Sequence, residues 1–369
     1  MNLAVIRGNY LDPWEMEFYS KMKHFGVFPT GICSNDNLFE TSNMDMPIKR
    51  LKNVREANKI PLVRGIIGGL FCVNNGLIGL KDAVKDADVI NVTELYNTYS
   101  YQAVRMDKPV VITCWETMAF NNERTMYKHF KKEVRNKAKH FIAISEKAKR
   151  ALIKEGVDES KISVIPAGLD TDRFKPLPKD KKMLESLNIS PNKKVVLFVG
   201  RLEKEKGILE LVDAMTGINA VLLIAGSGPL KDEVLLKAKK NNVDLKFLGF
   251  VPYSRMHFVH NLADIFCLPS IPNKKWEEQF GYVLVEAMGC SKPVVSTTSG
   301  AIPEVVNDER VLVSPGNVPG LHHIIKTILE NDDLRKRLGE KNRERVETVF
   351  KDSVVAKKLA DVFNSVHKH

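Results

Sequence analysis

Short apolar runs alternate with longer amphipathic segments along most of this chain. The runs are three to five residues long, and many of the segments between them have the apolar spacing of helices. Buried strands that alternate with helices form parallel sheets that are covered on both faces. The runs form two series, residues 3–6, 89–92, 110–113, 140–144 and 162–165, then 195–199, 220–224, 245–248, 265–268, 293–296 and 311–313.

A stretch rich in proline and lysine separates the two series. Three prolines and six lysines lie within residues 175–194, which predicts a linker with one short helix at 183–188. We therefore expect two doubly wound α/β domains, at 1–174 and 195–350, each with its ligand edge at the carboxyl ends of the strands. The tail, 351–369, has apolar residues on one face, which predicts a helix docked on the body of the protein.

Composition narrows the class of protein. The 369 residues include 56 Lys and Arg against 45 Asp and Glu, a net charge of +11 that favours anionic partners. The basic residues are spread along the chain, and no basic stripe is interleaved with aromatic residues, so we expect no nucleic-acid partner. The five cysteines form no CxxC pair, which excludes a zinc ribbon and is typical of reduced thiols in a cytoplasmic protein.

Glycine follows two strands of the second series. Gly200 allows a tight turn, from which Arg201 and Lys206 project as candidate partners for phosphate oxygens. A solvated basic turn is an equally good interpretation. Gly226 and Gly228 stand in a second strand–turn–helix pattern, but without the GxGxxG spacing that indicates a dinucleotide site. A plain tight turn explains that pattern at least as well.

Seven residues separate two glutamates, Glu278 and Glu286. A helix that begins near Gly281 would place free N–H groups beside Phe280 and Gly281, where an anion can bind. Glu286 would lie among apolar residues inside that helix, where a carboxylate needs hydrogen-bond donors such as the adjacent hydroxyls of a sugar. The alternative is that both glutamates are caps or members of ion pairs.

Six motifs follow one another in a specific order between residues 165 and 304. They are Ile165-Pro166-Ala167-Gly168-Leu169-Asp170, Val199-Gly200-Arg201-Leu202 with Glu205-Lys206-Gly207, Ala225-Gly226-Ser227-Gly228-Pro229, Phe247-Leu248-Gly249, Glu278-Gln279-Phe280-Gly281 with Glu286-Ala287-Met288, and Ser299-Gly300-Ala301-Ile302-Pro303-Glu304. In order and spacing the chain resembles the group 1 (family 4) retaining glycosyltransferases. The resemblance implies a GT-B fold, in which two Rossmann-like domains face each other across a cleft and the C-terminal helix crosses back to the first domain.

The resemblance also implies a role for each matching residue. Arg201 and Lys206 would hold the donor pyrophosphate and stabilise the leaving nucleotide, so that neither a metal ion nor a cofactor is expected. Glu278 would contact the transferred sugar, and Glu286 would bind the ribose hydroxyls. The implied donor-binding residues are Gly200, Arg201, Lys206, Gly226, Gly228, Glu278, Phe280, Gly281 and Glu286.

The first domain, which would bind the acceptor, matches the family less well. Many family members carry a histidine near the sugar after a strand of this domain, and here Trp115 and Glu116 occupy that place. Either Glu116 replaces the histidine in a polar contact to the sugar and belongs to the catalytic residues, or Glu116 caps the segment that follows. The sequence leaves both alternatives open.

A basic segment of the first domain could meet an anionic membrane that carries a lipid acceptor. A solvated helix face is the simpler interpretation of this segment. Its basic residues include Lys128, Lys131, Lys132 and Arg135. We expect a cytoplasmic protein, with contact to the membrane surface as a further hypothesis.

The function that these features predict is a retaining glycosyltransferase. It would move a hexose from a nucleotide-diphosphate sugar to a sugar or lipid-linked acceptor. Two alternatives remain, a nucleotide-sugar hydrolase or epimerase on the same scaffold, and a nucleotide-sugar-binding protein without catalytic activity. The glutamate and cation motifs favour transfer over both.

Overall fold

The structure is a computed structural model, and it describes residues 1–42, 44–57, 75–121, 123 and 125–368. It divides into two compact units. The first unit comprises Met1–Gly168 and Asp352–His369, and the second comprises Leu169–Lys351. Each unit is described by itself below.

The first unit is built on a parallel sheet. Its strands are β1 (Asn2–Gly8), β2 (Phe28–Ser34), β3 (Ile48–Leu51), β4 (Val89–Thr93), β5 (Val110–Cys114), β6 (His140–Ala143) and β7 (Ile162–Val164). Among the described residues the order across the sheet is β3-β2-β1-β4-β5-β6-β7, and all neighbouring strands are parallel. Leu3 of β1 lies opposite Pro29 of β2 on one side and Val89 of β4 on the other. The order reverses between β1 and β4, which makes this unit doubly wound.

Helices follow most of these strands. They are α1 (Pro13–Ser20), α2 (Val54–Ala57), α3 (Leu80–Ala83), α4 (Thr98–Ala103), α5 (Thr125–Lys137) and α6 (Glu146–Lys154). Side-chain caps start several of them: the Asp12 side chain accepts from the Trp14 N–H before α1, Asn53 accepts from the Glu56 N–H at α2, and Ser145 accepts from the Ala148 N–H at α6. Every residue of β4 and β5 is buried, as expected for central strands with both faces covered.

The second unit has a parallel sheet of its own. Its strands are β8 (Val195–Val199), β9 (Val221–Ala225), β10 (Leu245–Gly249), β11 (Ile265–Leu268), β12 (Val294–Thr297) and β13 (Leu312–Val313). The order is β10-β9-β8-β11-β12-β13, with the reversal between β8 and β11. The accompanying helices are α7 (Lys181–Ser186), α8 (Ile208–Ala214), α9 (Lys231–Lys240), α10 (Tyr253–Leu262), α11 (Tyr282–Gly289), α12 (Ile302–Val306), α13 (Val318–Glu330) and α14 (Asp332–Arg345).

A last helix, α15 (Asp352–Lys368), returns to the first unit. Its apolar face packs on α1 and on a short 3-10 helix, Lys21–Phe25, with Leu359 and Phe363 almost fully buried. Among the described residues, no helix is both long enough and apolar enough to cross a membrane.

The predicted fold class, two Rossmann-like parallel α/β domains, is confirmed. The eleven predicted strands all appear, but the sequence did not indicate β2 or β3. Pro29 and Gly31 interrupt the apolar pattern of β2, and β3 is a short, partly exposed edge strand with Lys49 and Arg50 at its centre. Edge strands that carry charges do not show the signature of buried strands.

The boundary between the two domains also differs from the prediction. The second unit begins at Leu169, so the stretch predicted as a linker over 175–194 is part of it. The Leu177 N–H donates to Asn261 Oδ1 at 2.9 Å, and Lys179 Nζ lies 2.5 Å from Asp264 Oδ2. Proline and lysine made the stretch look solvated, but hydrogen bonds to α10 and to the start of β11 fix it.

Candidate active site

The loops that follow β8 and β9 are packed against each other through their backbones. The Leu202 N–H donates to Ser227 O at 2.9 Å, and the Gly200 N–H donates to Ala225 O at 3.0 Å. A Cβ added to Gly226 would lie 2.0 Å from Gly200 O, so only glycine fits there. These glycines therefore shape the loop from which the predicted cations project, and their contact with a donor stays a prediction.

Arg201 and Lys206 point to different environments. The Arg201 side chain is 65% exposed and pairs with Glu203, with Nη1 2.7 Å from Oε2. The Lys206 side chain is only 15% exposed, and its Nζ lies 2.7 Å from Glu278 Oε2. The same Nζ lies 4.7 Å from the centroid of the Trp276 ring. The structure thus brings two of the predicted site residues, Lys206 and Glu278, into direct contact.

Glu278 is held by the motif that follows it in the sequence. Its carbonyl oxygen accepts from the Ala301 N–H at 2.9 Å. A Cβ on Gly300, where φ is 58°, would lie 1.8 Å from that same oxygen. Glu278 Oε2 also accepts from Ser270 Oγ at 2.8 Å, whereas Oε1 has no hydrogen-bond partner in the described part of the chain. The Ser299–Glu304 motif therefore seats the backbone of Glu278, and one carboxylate oxygen stays open.

Phe280 and Gly281 lie at the start of α11, as predicted. Gly281 precedes the helix in the left-handed conformation, with φ of 77°. The Phe280 side chain is buried and its ring meets the Phe350 ring edge-on, with centroids 5.9 Å apart. The first N–H groups of an α-helix lack partners within the helix, and the anion site expected at this helix start stays a prediction.

Glu286 lies one and a half turns into α11 and pairs with a residue that the sequence analysis missed. His260 Nε2 lies 2.9 Å from Glu286 Oε2, and the two side chains are 0% and 5% exposed. No motif marks His260; it reaches Glu286 because α10 and α11 are packed side by side. The pair is compatible with the ion-pair alternative, and the binding of ribose by Glu286 stays a prediction.

The two loops that carry these groups leave neighbouring strands. Arg201 and Lys206 follow β8, and Glu278 follows β11, at the point where the strand order reverses. Ligands of doubly wound sheets bind at the carboxyl ends of the strands at that point. Ser270, which the sequence analysis also missed, follows β11 directly, and its place after a predicted strand is a signal that could have found it.

In the first unit, both oxygens of Glu116 are engaged by the segment that follows. Oε1 accepts from the Met118 N–H and Oε2 from Asn121 Nδ2, each at 2.9 Å. Of the two alternatives for Glu116, the capping geometry is the one that the structure contains. Its proposed sugar contact stays a prediction.

Glu94 is a second carboxylate at this edge of the first sheet, and the sequence analysis missed it. It follows β4 with φ of 60°, a strained value for a residue other than glycine. Its Oε1 accepts from the N–H groups of Trp115, at 2.7 Å, and Glu116, at 3.2 Å. Burial, with a further contribution from the charge of Glu116, raises the pKa of Glu94 to about 8. Glu94 therefore fixes the backbone at the place where the family's histidine was expected.

The basic helix α5 does not present all its cations to solvent. Lys131 is 2% exposed and pairs with Glu155, with Nζ 2.7 Å from Oε1, and Arg135 Nη1 lies 2.9 Å from Glu155 Oε2. The predicted membrane contact is therefore wrong for Lys131, because its ammonium group is buried in an ion pair with Glu155. Lys128 and Lys132 remain exposed.

Among the described residues, no group of three or more His, Cys, Asp or Glu side chains is arranged to hold a metal ion. The expectation that no metal ion is needed stays a prediction.

Two family models together match most of the chain. Residues 179–345 match Glycosyl transferases group 1, and residues 59–173 match Glycosyltransferase Family 4. The chain belongs to the group 1, family 4 glycosyltransferases. The resemblance drawn from its motifs is thereby confirmed.

Known relatives in this family include two mannosyltransferases. The chain is 30% identical over 211 residues to the GDP-mannose-dependent monoacylated alpha-(1-6)-phosphatidylinositol monomannoside mannosyltransferase of Corynebacterium glutamicum, with 54% of this chain and 55% of that protein covered. It is 32% identical over 239 residues to the phosphatidyl-myo-inositol mannosyltransferase of Mycobacterium leprae, with 61% and 59% covered. The chain thus spans somewhat more than half the length of these relatives.

Solved structures extend the likeness over the whole chain. Anabaena HepE in complex with UDP and glucose matches with a TM-score of 0.78 and 20% identity, covering 99% of this chain and 100% of that one. At this level of identity the likeness shows the fold, which is GT-B.

Proposed function

We propose that this chain is a retaining hexosyltransferase that takes its sugar from a nucleotide-diphosphate donor and passes it to a sugar or lipid-linked acceptor. The observation that carries the proposal is the contact of Lys206 with Glu278 at the carboxyl ends of β8 and β11. A cation and a carboxylate at that edge suit the two parts of such a donor, its diphosphate and its hydroxyl-bearing sugar.

The second unit binds the donor. Arg201 and Lys206 neutralise the diphosphate, together with the N–H groups at the start of α11. An ammonium group has three hydrogens, so Lys206 keeps its bond to Glu278 while it donates to a phosphate oxygen. The open oxygen of Glu278 accepts from a hydroxyl of the transferred sugar, and Glu286 accepts from the ribose.

The chemical step breaks the bond between the anomeric carbon and the diphosphate oxygen. The acceptor oxygen bonds to the anomeric carbon on the same face, and the proton of the acceptor hydroxyl passes to a diphosphate oxygen. Arg201 and Lys206 stabilise the negative charge that develops on the leaving diphosphate. Because two cations and a helix N-terminus carry this charge, the proposal needs no metal ion.

The acceptor is assigned to the first unit. Glu94 and Glu116 shape the loops after β4 and β5, which lie at the carboxyl edge of that sheet. Relatives named for phosphatidylinositol acceptors support a lipid-linked acceptor, and Lys128 and Lys132 remain available for contact with anionic lipid. HepE, solved with UDP and glucose, supports a nucleotide-diphosphate hexose as the donor.

A thermal-shift screen tests donor binding, because a ligand that binds only the folded state raises the melting temperature. UDP-glucose, GDP-mannose and ADP-glucose are the first probes, and we expect at least one to raise the midpoint. The donor found in this way is then incubated with sugar and phosphatidylinositol acceptors, with and without EDTA. NMR of the anomeric proton of the product reports retention.

The Glu278→Gln variant separates transfer from simple binding. We expect it to bind the nucleoside diphosphate as wild type does while transfer falls by roughly 100-fold, because the lost contact is to the sugar. No shift with any donor contradicts the proposal. Release of free hexose without any transfer product would favour a hydrolase instead.

A further inference from the structure

His260 and Glu286 form a buried pair inside the second unit. His260 lies near the end of α10 and Glu286 in the middle of α11, with Nε2 and Oε2 2.9 Å apart. Neither side chain makes another hydrogen bond within the described part of the chain. Each group therefore depends on the other for its orientation.

The surroundings of the ring fix where its hydrogen lies. His260 Nδ1 is buried and has no hydrogen-bond partner among the described residues. A carboxylate can only accept, so the hydrogen that joins the pair lies on Nε2. The rings of Phe174 and Phe266, with centroids 6.1 and 5.4 Å away, hold the imidazole in place. His260 is thus a donor to Glu286 in a fixed orientation.

Glu286 is left with unused capacity. A carboxylate accepts about four hydrogen bonds. Glu286 receives one within the described part of the chain, on Oε2, although its side chain is only 5% exposed. A buried carboxylate with a single donor is costly unless a ligand supplies further donors. The other glutamate of the motif, Glu278, shows the same arrangement, since Lys206 and Ser270 hold its Oε2 and its Oε1 has no partner in the described residues.

We propose that His260 is a positioning residue for the donor nucleotide: it holds Glu286 by Oε2 so that Oε1 accepts from the ribose 2′-hydroxyl. His260 thereby sets the preference of this protein for ribonucleotides over 2′-deoxyribonucleotides. The inference rests on the proposed function, because it needs a nucleoside diphosphate in the second unit. It adds a residue that no motif of the sequence contains.

Nucleoside diphosphates that lack the 2′-hydroxyl test whether Glu286 binds this group. A site whose buried polar group is built to bind a hydroxyl discriminates against the analogue that lacks it, because the group is then left unpaired. Binding of UDP, GDP, 2′-deoxy-UDP and 2′-deoxy-GDP to the full chain is measured by titration calorimetry. For the base that binds, we expect the wild type to hold the 2′-deoxy form about tenfold more weakly.

Two amide variants of His260 separate positioning from packing. In His260→Gln, the side-chain nitrogen can reach the place of Nε2, so we expect a preference of at least about fivefold to remain. In His260→Asn the shorter amide cannot reach Glu286, and we expect the two nucleotides to bind within about twofold of each other. His260→Phe, which suits the aromatic surroundings but lacks a donor, replaces the Asn variant if thermal unfolding shows that the latter is not folded.

His322 provides the matched control. It lies in α13 of the same unit, where its Nδ1 is 2.8 Å from Ala214 O, and His322→Gln should keep the full tenfold preference. A preference that survives in folded His260→Asn or His260→Phe overturns the inference, as does a wild type that binds both nucleotides equally. If no nucleoside diphosphate binds the wild type at all, the proposed function falls and this inference with it.

Discussion

Each unit holds a pair of glutamates in the segments that follow its central strands, but the partners differ. In the first unit, Glu94 accepts from two backbone N–H groups, and Glu116 accepts from the segment that follows it. In the second, Glu278 and Glu286 are held by charged or polar side chains, Lys206, Ser270 and His260 among them. The first pair sets the shape of loops, whereas in the second pair one oxygen of each carboxylate has no partner among the residues that the structure describes.

The cations of the two units differ in the same way. Lys131 of the first unit is buried in an ion pair with Glu155, with 2% of its side chain exposed. Lys206 of the second unit pairs with Glu278 but keeps 15% of its side chain exposed. A buried ion pair is part of the fold, and a partly exposed cation can exchange one anionic partner for another. The proposed binding of a donor diphosphate therefore suits Lys206, whereas the charge of Lys131 is already used inside the first unit.

Replacement of Lys206 should have the largest effect. We expect Lys206→Ala to lower the transfer rate by roughly 100- to 1000-fold, because the leaving diphosphate loses a preorganised cation, while the melting temperature changes little. Steady-state transfer rates and thermal unfolding measure the two effects. Lys204, exposed in the same turn, supplies the control, and Lys204→Ala should keep most of the activity. Equal losses of activity in both variants would contradict the specific role of Lys206 in stabilising the leaving diphosphate.

Gly300 tests how firmly the second unit seats Glu278. In Gly300→Ala the new Cβ would lie 1.8 Å from Glu278 O at φ of 58°, so the backbone must shift, at a cost of about 3 kcal/mol in unfolding free energy. Gly316 also has positive φ but open space around it, and Gly316→Ala should cost only about 1 kcal/mol. Urea unfolding gives both values. Similar costs would show that the close approach to Glu278 contributes nothing beyond the strain of the backbone.

Glu94 makes the stability of the first unit depend on pH. Its pKa is raised from 4.5 to about 8, so between these values the unfolded chain releases the proton and the folded chain retains it. Stability should therefore fall as pH rises through this window, by about 2 kcal/mol between pH 5 and 7. Glu94→Gln keeps the acceptor for both N–H groups and cannot ionise, so its unfolding free energy should lack this part of the pH dependence. Parallel curves for the two proteins over that range would contradict the prediction.

Lys131 should give the smallest effect. Lys131→Met keeps an unbranched side chain of similar length and leaves Glu155 paired with Arg135, so we expect a loss of about 1 kcal/mol. The exposed neighbour in Lys132→Met should leave the free energy of unfolding within about 0.5 kcal/mol of wild type. In contrast, only Lys132→Met should weaken binding to phosphatidylserine vesicles, if the protein binds them. Weaker vesicle binding in Lys131→Met instead would mean that the buried cation reaches the surface.

The fold was largely predictable because it rests on local patterns. Continuous apolar runs between amphipathic segments predicted two doubly wound sheets, and the structure contains them at nearly the expected residues. The failures lie where local pattern and burial disagree: β3 is a charged edge strand, and 175–194 looks like a linker but is hydrogen-bonded to the second unit. In both places neighbours that are distant in sequence decide the conformation.

The sequence by itself predicted which residues of the second unit are candidates for the chemistry, because glycine turns, cations and glutamates follow three of its strands at characteristic spacing. Only the tertiary structure decided their partners. His260 reaches Glu286 from a neighbouring helix, Ser270 reaches Glu278 from eight residues earlier in the same loop, and Glu94 reaches the Trp115 backbone from the end of the adjacent strand. Spacing along a chain encodes which side chains share an element, whereas hydrogen bonds between elements depend on how those elements pack.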